Sequence, residues 1–315
     1  MKRRGAIKLN KWKNISLDKL IYPLFVKEAR GVVEEISSLP GVYRYSPDTL
    51  VKEVSTLQCL GLKSVLLFGI PRSKDWAGSS ATGEDNVVSE SVRLLRKYFP
   101  ELVIITDVCL CAYTSSGHCG VIKQGSRQID AKTTLSALSG MALTHAQAGA
   151  NYVAPSAMAD TQVKSIRKAL DKEGYQQTKI IGYSAKFASN FYGPFRDVAD
   201  SAPRFGSRHG YQLDYNDSKT ALYKVEQDIR EGADIVMVKP ALGYLDIVKK
   251  VKSEFNYPLA VYNVSGEYAM VKAGAGAGSW DEGEMVFEII SSIKRAGADF
   301  IISYHAKDIA RWQKR

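Results

Sequence analysis

The sequence predicts a (β/α)8 barrel of the TIM type with a short basic arm at its N-terminal end. Eight short apolar runs alternate with longer helical patterns, which is typical of repeated βα units. Four of these runs begin shortly after a glycine that ends a helical pattern, and the polar glycine-rich segments all follow apolar runs. A doubly wound sheet is the alternative, but no GxGxxG motif follows the first run, which disfavours a dinucleotide-binding domain.

The eight apolar runs are rich in β-branched and aromatic residues and contain few polar positions. Such near-continuous hydrophobicity is typical of strands that are buried on both faces of a parallel sheet. We therefore predict strands at residues 22–26, 64–70, 102–108, 152–156, 179–184, 235–240, 259–265 and 300–304.

Glycines mark the joints between helices and the strands that follow them. Gly61, Gly149, Gly232 and Gly297 each end a helical pattern two to four residues before an apolar run. Glycine accepts the left-handed conformation that commonly follows the last helical residue, so these positions predict helix C-terminal caps. The helix before the last strand has its apolar residues on one stripe, as a helix packed on a barrel requires.

Three polar, glycine-rich insertions follow strands, at residues 71–88, 112–130 and 187–218. In a barrel these segments lie on the face where active sites form. No linker divides the chain, so we predict one barrel domain at residues 21–315 and an arm at residues 1–20.

The chain has 315 residues and a formal net charge of +10, most of it at the two ends. Residues 1–20 hold seven Lys or Arg and one Asp, and residues 303–315 hold four and one. A basic arm can contact nucleic acid or an acidic partner, but we favour a solvated or subunit-packing arm. We therefore expect no nucleic-acid partner.

The cysteine and charge patterns predict a cytoplasmic protein. Four cysteines do not make a disulfide framework in a chain of this length. Lysines interrupt the first residues, so we expect no signal peptide. The longest segment without Asp, Glu, Lys or Arg, residues 133–159, contains a histidine, two glycines and a proline, and we expect no membrane span.

Three cysteines, Cys109, Cys111 and Cys119, follow the third strand. Cys109 and Cys111 alternate along an extended segment, so both thiols can face one side, and Cys119 can reach them if its loop folds back. Three thiolates suit Zn²⁺ and leave a fourth position open for water or substrate. The alternative is a group of buried structural thiols. His118 is a further candidate ligand, although we favour a supporting role for it in the loop.

Two lysines, Lys186 and Lys239, lie at the ends of the fifth and sixth strands. Lys239 has apolar neighbours in VMVKPAL, and burial together with a second nearby cation would lower its pKa. A neutral amine can attack a ketone and form a Schiff base. A snorkelling or phosphate-binding lysine is the alternative for each.

A basic aromatic loop lies between the two lysine motifs. Arg196, Arg208 and Gln212 could bind a carboxylate, and the loop's glycines would let it close as a lid. Ser265 and Tyr304 end the seventh and eighth strands, where hydroxyls can bind a second carboxylate or simply hydrogen-bond to the strand ends. RNA binding is an alternative for the loop, but its acidic residues dilute the charge. The residues alone predict a metal-assisted lyase or aldolase that acts on a keto acid through lysine.

Several motifs carry a resemblance to a known family. They are DVCLC followed by CG, YSAKFAS, FYGPFRD, VMVKPAL and VSGEYAM. With these motifs the chain resembles the 5-aminolevulinate dehydratase family, also called porphobilinogen synthases, from Ile21 to about Lys307. The resemblance implies a (β/α)8 barrel that condenses two molecules of 5-aminolevulinate into porphobilinogen in tetrapyrrole (haem) synthesis. It also implies a homo-oligomer, typically an octamer, and the basic arm would match the family's subunit-wrapping arm.

The resemblance assigns roles to the residues around the lysines. Lys239 matches the Schiff-base lysine of the first-bound, or P-side, substrate, and Lys186 matches the lysine of the second, or A-side, substrate. Asp107 and Ser156 match polar residues near these lysines and the A-side amine. The aromatic residues that the family places over the P-side substrate correspond to Tyr192 and Phe195.

Each substrate carboxylate also has matching residues. Ser265 and Tyr304 match the binders of the P-side carboxylate, and Arg196, Arg208 and Gln212 match the lid residues that grip the A-side carboxylate.

The resemblance implies a metal as well. Cys109, Cys111 and Cys119 match the catalytic ligands of the zinc-dependent branch, where zinc acts as a Lewis acid on the A-side substrate. Glu231 matches a residue that the family uses near an allosteric Mg²⁺ site.

The chain departs from the family pattern at several positions. The family usually reads PSDMMDGR where this chain reads PSAMADTQ, so Ala157 replaces an aspartate that lies close to the lysines. The lysines, cysteines and carboxylate binders all remain, so we expect an active, divergent enzyme. The alternative is a paralogue that is inactive or has an altered substrate.

Overall fold

A computed structural model describes residues 12–314 and shows a closed barrel of eight parallel strands. The barrel strands are the runs predicted from the sequence, with ends that differ by a few residues. In chain order, with a two-stranded hairpin after the first barrel strand, the strands are β1 (Leu20–Lys27), β2 (Val33–Glu35), β3 (Tyr43–Tyr45), β4 (Ser64–Ile70), β5 (Val103–Val108), β6 (Tyr152–Pro155), β7 (Lys179–Lys186), β8 (Ile235–Lys239), β9 (Leu259–Asn263) and β10 (Phe300–Ser303).

The barrel closes because β10 pairs in parallel with β1, with Leu20 opposite Ile301. All the other neighbouring barrel strands are also parallel and follow the chain order. Their side chains are almost entirely buried, on the inside by the barrel core and on the outside by the helices. The predicted TIM fold is therefore confirmed.

Helices connect the strands, and most of them form the outer layer. They are α1 (Pro47–Leu60), α2 (Val87–Tyr98), α3 (Ala131–Ala148), α4 (Gln162–Lys172), α5 (Gly193–Val198), α6 (Ser218–Arg230), α7 (Leu245–Phe255), α8 (Ser265–Gly276), α9 (Glu282–Ala296) and α10 (Ala306–Gln313). The four glycines predicted as helix caps all have positive φ, between 96° and 125°. A side chain with a Cβ would be strained in that conformation.

The hairpin of β2 and β3 is absent from our sequence prediction. Each strand has three residues, and β2 is largely exposed, so neither forms an apolar run. The hairpin joins the barrel through β3, which pairs in parallel with the end of β1. Arg44 in β3 then donates to the main-chain oxygen of Val198 at 3.0 Å, which anchors the end of α5.

The predicted arm falls partly outside the described residues. Its first eleven residues are not described, while Trp12 and Ile15 are each 6% exposed and belong to the barrel core. The Trp12 ring packs against Phe287 and Trp312, with ring centroids 5.3 and 5.0 Å away. Within the part of the chain that the structure describes, no helix is both long enough and apolar enough to cross a membrane.

Candidate active site and metal centre

The two predicted lysines meet at the carboxyl ends of adjacent strands. Lys186 in β7 lies directly opposite Lys239 in β8, and each is 5% exposed. One extra residue in β7, between Gly182 and Ala185, shifts the strand register. This bulge changes the alternation of side chains, so that Tyr183 and Lys186 both face the barrel interior. Tyr183 then lies beside both amines, with its ring centre 5.2 Å from Lys239 Nζ and 5.6 Å from Lys186 Nζ.

Lys239 is enclosed by aromatic rings. Its Nζ lies 4.3 Å from the ring centre of Tyr262, 5.1 Å from that of Tyr192 and 5.3 Å from that of Phe195. Ring faces attract an ammonium by about 0.5–2 kcal/mol, whereas removing it from water costs several kcal/mol. Burial therefore lowers the pKa of Lys239 to about 7, and the charge of Lys186 acts in the same direction. A substantial fraction of this amine is neutral near pH 7.

Lys186 and Asp107 form a polar group beside the Lys239 amine. Lys186 Nζ donates to the main-chain oxygen of Ser156 at 2.5 Å. Burial raises the pKa of Asp107 to about 6, although the charge of Lys186 and a hydrogen bond with Ser156 oppose this rise. Asp107 Oδ1 is buried and has no hydrogen-bond partner among the described residues, so it can accept a proton or a hydrogen bond from a bound molecule.

The three predicted cysteines form a buried cluster. The Sγ atoms of Cys109, Cys111 and Cys119 all lie within 4.8 Å of one another. Hydrogen bonds from Cys109 and Cys111 lower the pKa of Cys119 well below its usual range, and Arg208 adds a nearby positive charge. Three converging sulfurs, one of them favoured as thiolate, fit a soft or borderline divalent ion such as Zn²⁺. The prediction that the thiols meet is confirmed.

His118 lies outside this cluster, as we expected. Its Nε2 is 2.9 Å from the main-chain oxygen of Phe205, and its Nδ1 is 3.2 Å from the Tyr211 hydroxyl. Both ring nitrogens are therefore used in contacts with the segment at residues 187–218.

That segment, which we call the lid, covers the site and borders a cavity of about 710 Å³. Arg196, Arg208 and Gln212 all line this cavity. Both amide atoms of Gln212 and the Nε atoms of the two arginines are buried without hydrogen-bond partners among the described residues. Buried polar groups are nearly always paired, so three such groups around one cavity indicate an anionic or polar ligand.

The remaining predicted residues contact Lys239 or the residues that carry its surrounding aromatic rings. The Ser265 hydroxyl accepts the Phe195 N–H at 3.1 Å and donates to the Phe191 carbonyl at 3.3 Å, which fixes the lid against α8. The Tyr304 hydroxyl accepts a hydrogen bond from Tyr262 at 3.3 Å. Tyr192 donates its hydroxyl proton to the Lys239 carbonyl at 3.2 Å.

Two further positions from the sequence analysis are Ala157 and Glu231. Ala157 has no polar side chain, and Glu231 lies away from the two predicted lysines. Ala157 is buried beside Ser156 and lines a second cavity of about 470 Å³, together with Cys119 and Gln212. Glu231 lies beyond α6, where its carboxylate accepts the Lys164 N–H and the Gln227 side-chain amide. Among the described residues, no cluster of metal ligands includes Glu231.

Two aromatic neighbours of the lysines, Tyr183 and Tyr262, are absent from our sequence prediction. Simple alternation from Lys186 puts Tyr183 on the opposite face, and only the bulge brings it inside. Tyr262 could have been identified, because an inward position in a buried strand next to Lys239 must contact it.

Three comparisons with known proteins agree with this geometry. The profile of the delta-aminolevulinic acid dehydratase family matches residues 2–312. Two proteins named delta-aminolevulinic acid dehydratase are similar to this chain: that of Archaeoglobus fulgidus is 50% identical, covering 94% of this chain and 91% of its own, and that of Methanothermobacter thermautotrophicus is 52% identical, covering 92% and 88%. The structure of the Toxoplasma gondii enzyme with its reaction product porphobilinogen superposes with a TM-score of 0.93 at 40% identity, covering 95% of this chain and 85% of its own.

Proposed function

Because the chain belongs to the delta-aminolevulinic acid dehydratase family, we propose that it condenses two molecules of 5-aminolevulinate into porphobilinogen through lysine Schiff bases. Its enzyme class is that of a lyase, porphobilinogen synthase. The main support from the structure is the pairing of Lys186 with Lys239 at adjacent strand ends. A mechanism that holds each of two keto-acid substrates as a Schiff base requires two amines within reach of each other, and this register supplies them.

Lys239 is the residue that we propose to bind the first substrate. Its partly neutral amine attacks the ketone carbon, and loss of one water leaves a Schiff base. Phe195 and Tyr192 lie beside the Lys239 amine and would exclude bulk water from the carbon that reacts there. The hydroxyls of Ser265 and Tyr304 are the candidate donors for the carboxylate of this substrate, and Ser265 would exchange its hydrogen bond to the Phe191 carbonyl for one to the carboxylate. Because Lys239 is 5% exposed, the lid must open before substrate can enter.

Lys186 is proposed to hold the second substrate in the same way. Arg196, Arg208 and Gln212 would bind its carboxylate, since they line one cavity and retain unpaired buried donors. Asp107 lies near the amines of Lys186 and Lys239, and its Oδ1 has no hydrogen-bond partner among the described residues. This oxygen is therefore available for proton transfer. The atoms of two 5-aminolevulinate molecules equal those of porphobilinogen plus two waters, so no oxidant or reductant is needed.

Cys109, Cys111 and Cys119 are the residues that would hold zinc. A bound zinc ion supplies Lewis acidity and a positive charge beside the second substrate. The donor set supports this assignment, because the three sulfurs converge and one is favoured as thiolate.

Other parts of the proposal rest on the family resemblance and on composition. We propose a homo-oligomer, an octamer in the typical family form, with the basic arm at subunit contacts, and a cytoplasmic location. All four cysteines are unpaired, which suits a reducing compartment. The contacts of Glu231 do not favour a Mg²⁺ site there, because its carboxylate oxygens already accept hydrogen bonds from Lys164 and Gln227. The relatives and the product complex favour the active enzyme over an inactive or altered-substrate paralogue.

The direct test of the activity is product formation. We expect the purified protein to convert 5-aminolevulinate into porphobilinogen, with two substrates consumed per product as measured by mass spectrometry. If 5-aminolevulinate were not consumed, or if a different product formed, the proposal would be contradicted and the inactive or altered-substrate paralogue would be favoured.

The pH dependence of the reaction should report the titration of Lys239. Its cationic form predominates below its pKa of about 7 and cannot attack a ketone, so activity should rise as pH increases through this value. For a pKa of this size, kcat/KM should rise roughly fivefold from pH 6 to 7 and less than about twofold from pH 7 to 8. A profile that is flat or falls over this range would contradict the assignment of Lys239 as the nucleophile.

Replacing a lid arginine should weaken substrate binding more than chemistry. We expect Arg196→Met to raise KM by about 10–100-fold, because a charge-assisted hydrogen bond to the second carboxylate is lost. Arg204→Met is the matched control, since Arg204 is an exposed arginine of the same lid that does not line the cavity. Steady-state kinetics of the two variants would decide, and an equal KM in both would contradict the carboxylate site.

A further inference from the structure

The lid contacts a second segment, residues 109–120, which we call the metal loop because it carries the three cysteines. The Arg204 N–H donates to the Ser116 carbonyl at 3.0 Å, and the Arg208 guanidinium donates to the Gly117 carbonyl at 3.0 Å. Gly117 has a φ of +70°, and an added Cβ would clash with the Ala202 carbonyl oxygen. The main chains of the two segments are therefore in close contact at Gly117.

A directed series of hydrogen bonds crosses this contact. His118 Nε2 lies 2.9 Å from the Phe205 carbonyl, which can only accept, so this nitrogen carries the proton. In the neutral ring Nδ1 is then an acceptor, and it receives the proton of the Tyr211 hydroxyl at 3.2 Å. The Tyr211 oxygen in turn accepts the N–H of Cys119 at 3.4 Å. Tyr211 thus connects the main chain of a metal-ligand candidate to the lid.

Tyr211 shares one turn with two residues of the substrate cavity. The N–H groups of Tyr211 and Gln212 both donate to the Arg208 carbonyl, at 3.2 and 2.9 Å. Arg208 and Gln212 line the large cavity, whereas the Tyr211 hydroxyl contacts the metal loop. A movement of this turn therefore changes the substrate side and the metal side together.

We propose that Tyr211 is a positioning residue that couples metal binding at the three cysteines to closure of the lid. The proposal rests on the metal site and lid of the proposed function. A metal that fixes the position of Cys119 also fixes the acceptor and donor geometry around Tyr211, which favours the closed lid. By thermodynamic reciprocity, the closed lid must strengthen metal binding by the same factor.

Lid closure can be measured by trypsin cleavage, because the lid contains Arg196, Arg204 and Arg208. With metal-stripped full-length protein, we expect added Zn²⁺ to slow cleavage within residues 187–218 by about tenfold. In Tyr211→Phe, which removes only the hydroxyl, the effect of Zn²⁺ should fall to about twofold or less. Tyr223→Phe is the matched control, because Tyr223 is 63% exposed on α6 and should retain the full effect.

Metal affinity gives the reciprocal measurement. Titration with Co²⁺, followed by its thiolate charge-transfer absorption, should show about tenfold weaker binding in Tyr211→Phe than in the parent protein. His118→Phe keeps a ring against Phe205 and should reproduce the loss if Tyr211→Phe does not fold. The proposal would be overturned if Zn²⁺ did not change the rate of lid cleavage in the parent protein. It would also be overturned if Zn²⁺ slowed cleavage of a folded Tyr211→Phe variant as much as it slows cleavage of the parent protein. Neither measurement requires product, so a failure of the coupling can be distinguished from a failure of the proposed activity. If Co²⁺ gives no thiolate absorption, the metal site itself is contradicted. If Co²⁺ absorption appears but Zn²⁺ does not protect the lid from cleavage, only the coupling is contradicted.

Discussion

Lys239→Met should reduce porphobilinogen formation by at least about 10⁴-fold, because the substitution removes the nucleophile and keeps a side chain of similar length. The aromatic rings around Lys239 suit an apolar side chain, and burying methionine there avoids the cost of burying an ammonium. We therefore expect the variant to fold at least as stably as the parent protein. Product assays with thermal unfolding of the same sample would measure both effects.

The matched control for this variant is Lys250→Met. Lys250 lies on the helix that follows the same strand, and its side chain is exposed. It should retain parental activity. A Lys239→Met variant that keeps more than about a hundredth of the activity would exclude Lys239 as an essential Schiff-base residue.

Cys119→Ser should lose the metal and about 100-fold or more of the activity. A serine hydroxyl does not ionise near neutral pH and is a poor ligand for zinc. The variant would therefore keep only two of the three cysteine ligands. Elemental analysis and a product assay of the purified variant should show that its metal content and its activity are both reduced. Chelation of the parent protein should have the same effect, and added zinc should reverse it.

Cys59→Ser is the control for the cysteine variants. Cys59 is the exposed free thiol of the chain, and it lies on α1, far along the sequence from the cluster. This variant should keep its metal content and activity. If Cys119→Ser were metal-free yet fully active, the three cysteines would form a metal site without a catalytic role.

The barrel could be predicted because its strands are buried on both faces. Such strands appear in the sequence as apolar runs, and glycine caps such as Gly149 and Gly297 give the positions where they begin. The hairpin at residues 33–45 could not be found in this way. Its strands are short and partly exposed, and the pairing of β3 with β1 depends on a contact that no local pattern encodes.

The site could be predicted where its residues lie at strand ends. Lys186, Lys239 and Cys109 lie at or just beyond the ends of apolar runs, and parallel strands bring such positions to one end of a barrel. Tyr183 required a bulge that the sequence does not show. The role of Tyr211 could not be predicted either, because its contacts with Cys119 and His118 join two insertions that are more than ninety residues apart.

The most direct test of the proposed lysine chemistry is borohydride reduction of the protein in the presence of 5-aminolevulinate, followed by peptide mass spectrometry. Reduction converts a Schiff base into a stable secondary amine and so marks the lysine that formed it. We expect the reduced adduct on Lys239, its dependence on 5-aminolevulinate, and its absence in Lys239→Met. A protein that makes porphobilinogen but carries no adduct, or carries it only on lysines other than Lys239 and Lys186, would contradict the proposed lysine chemistry.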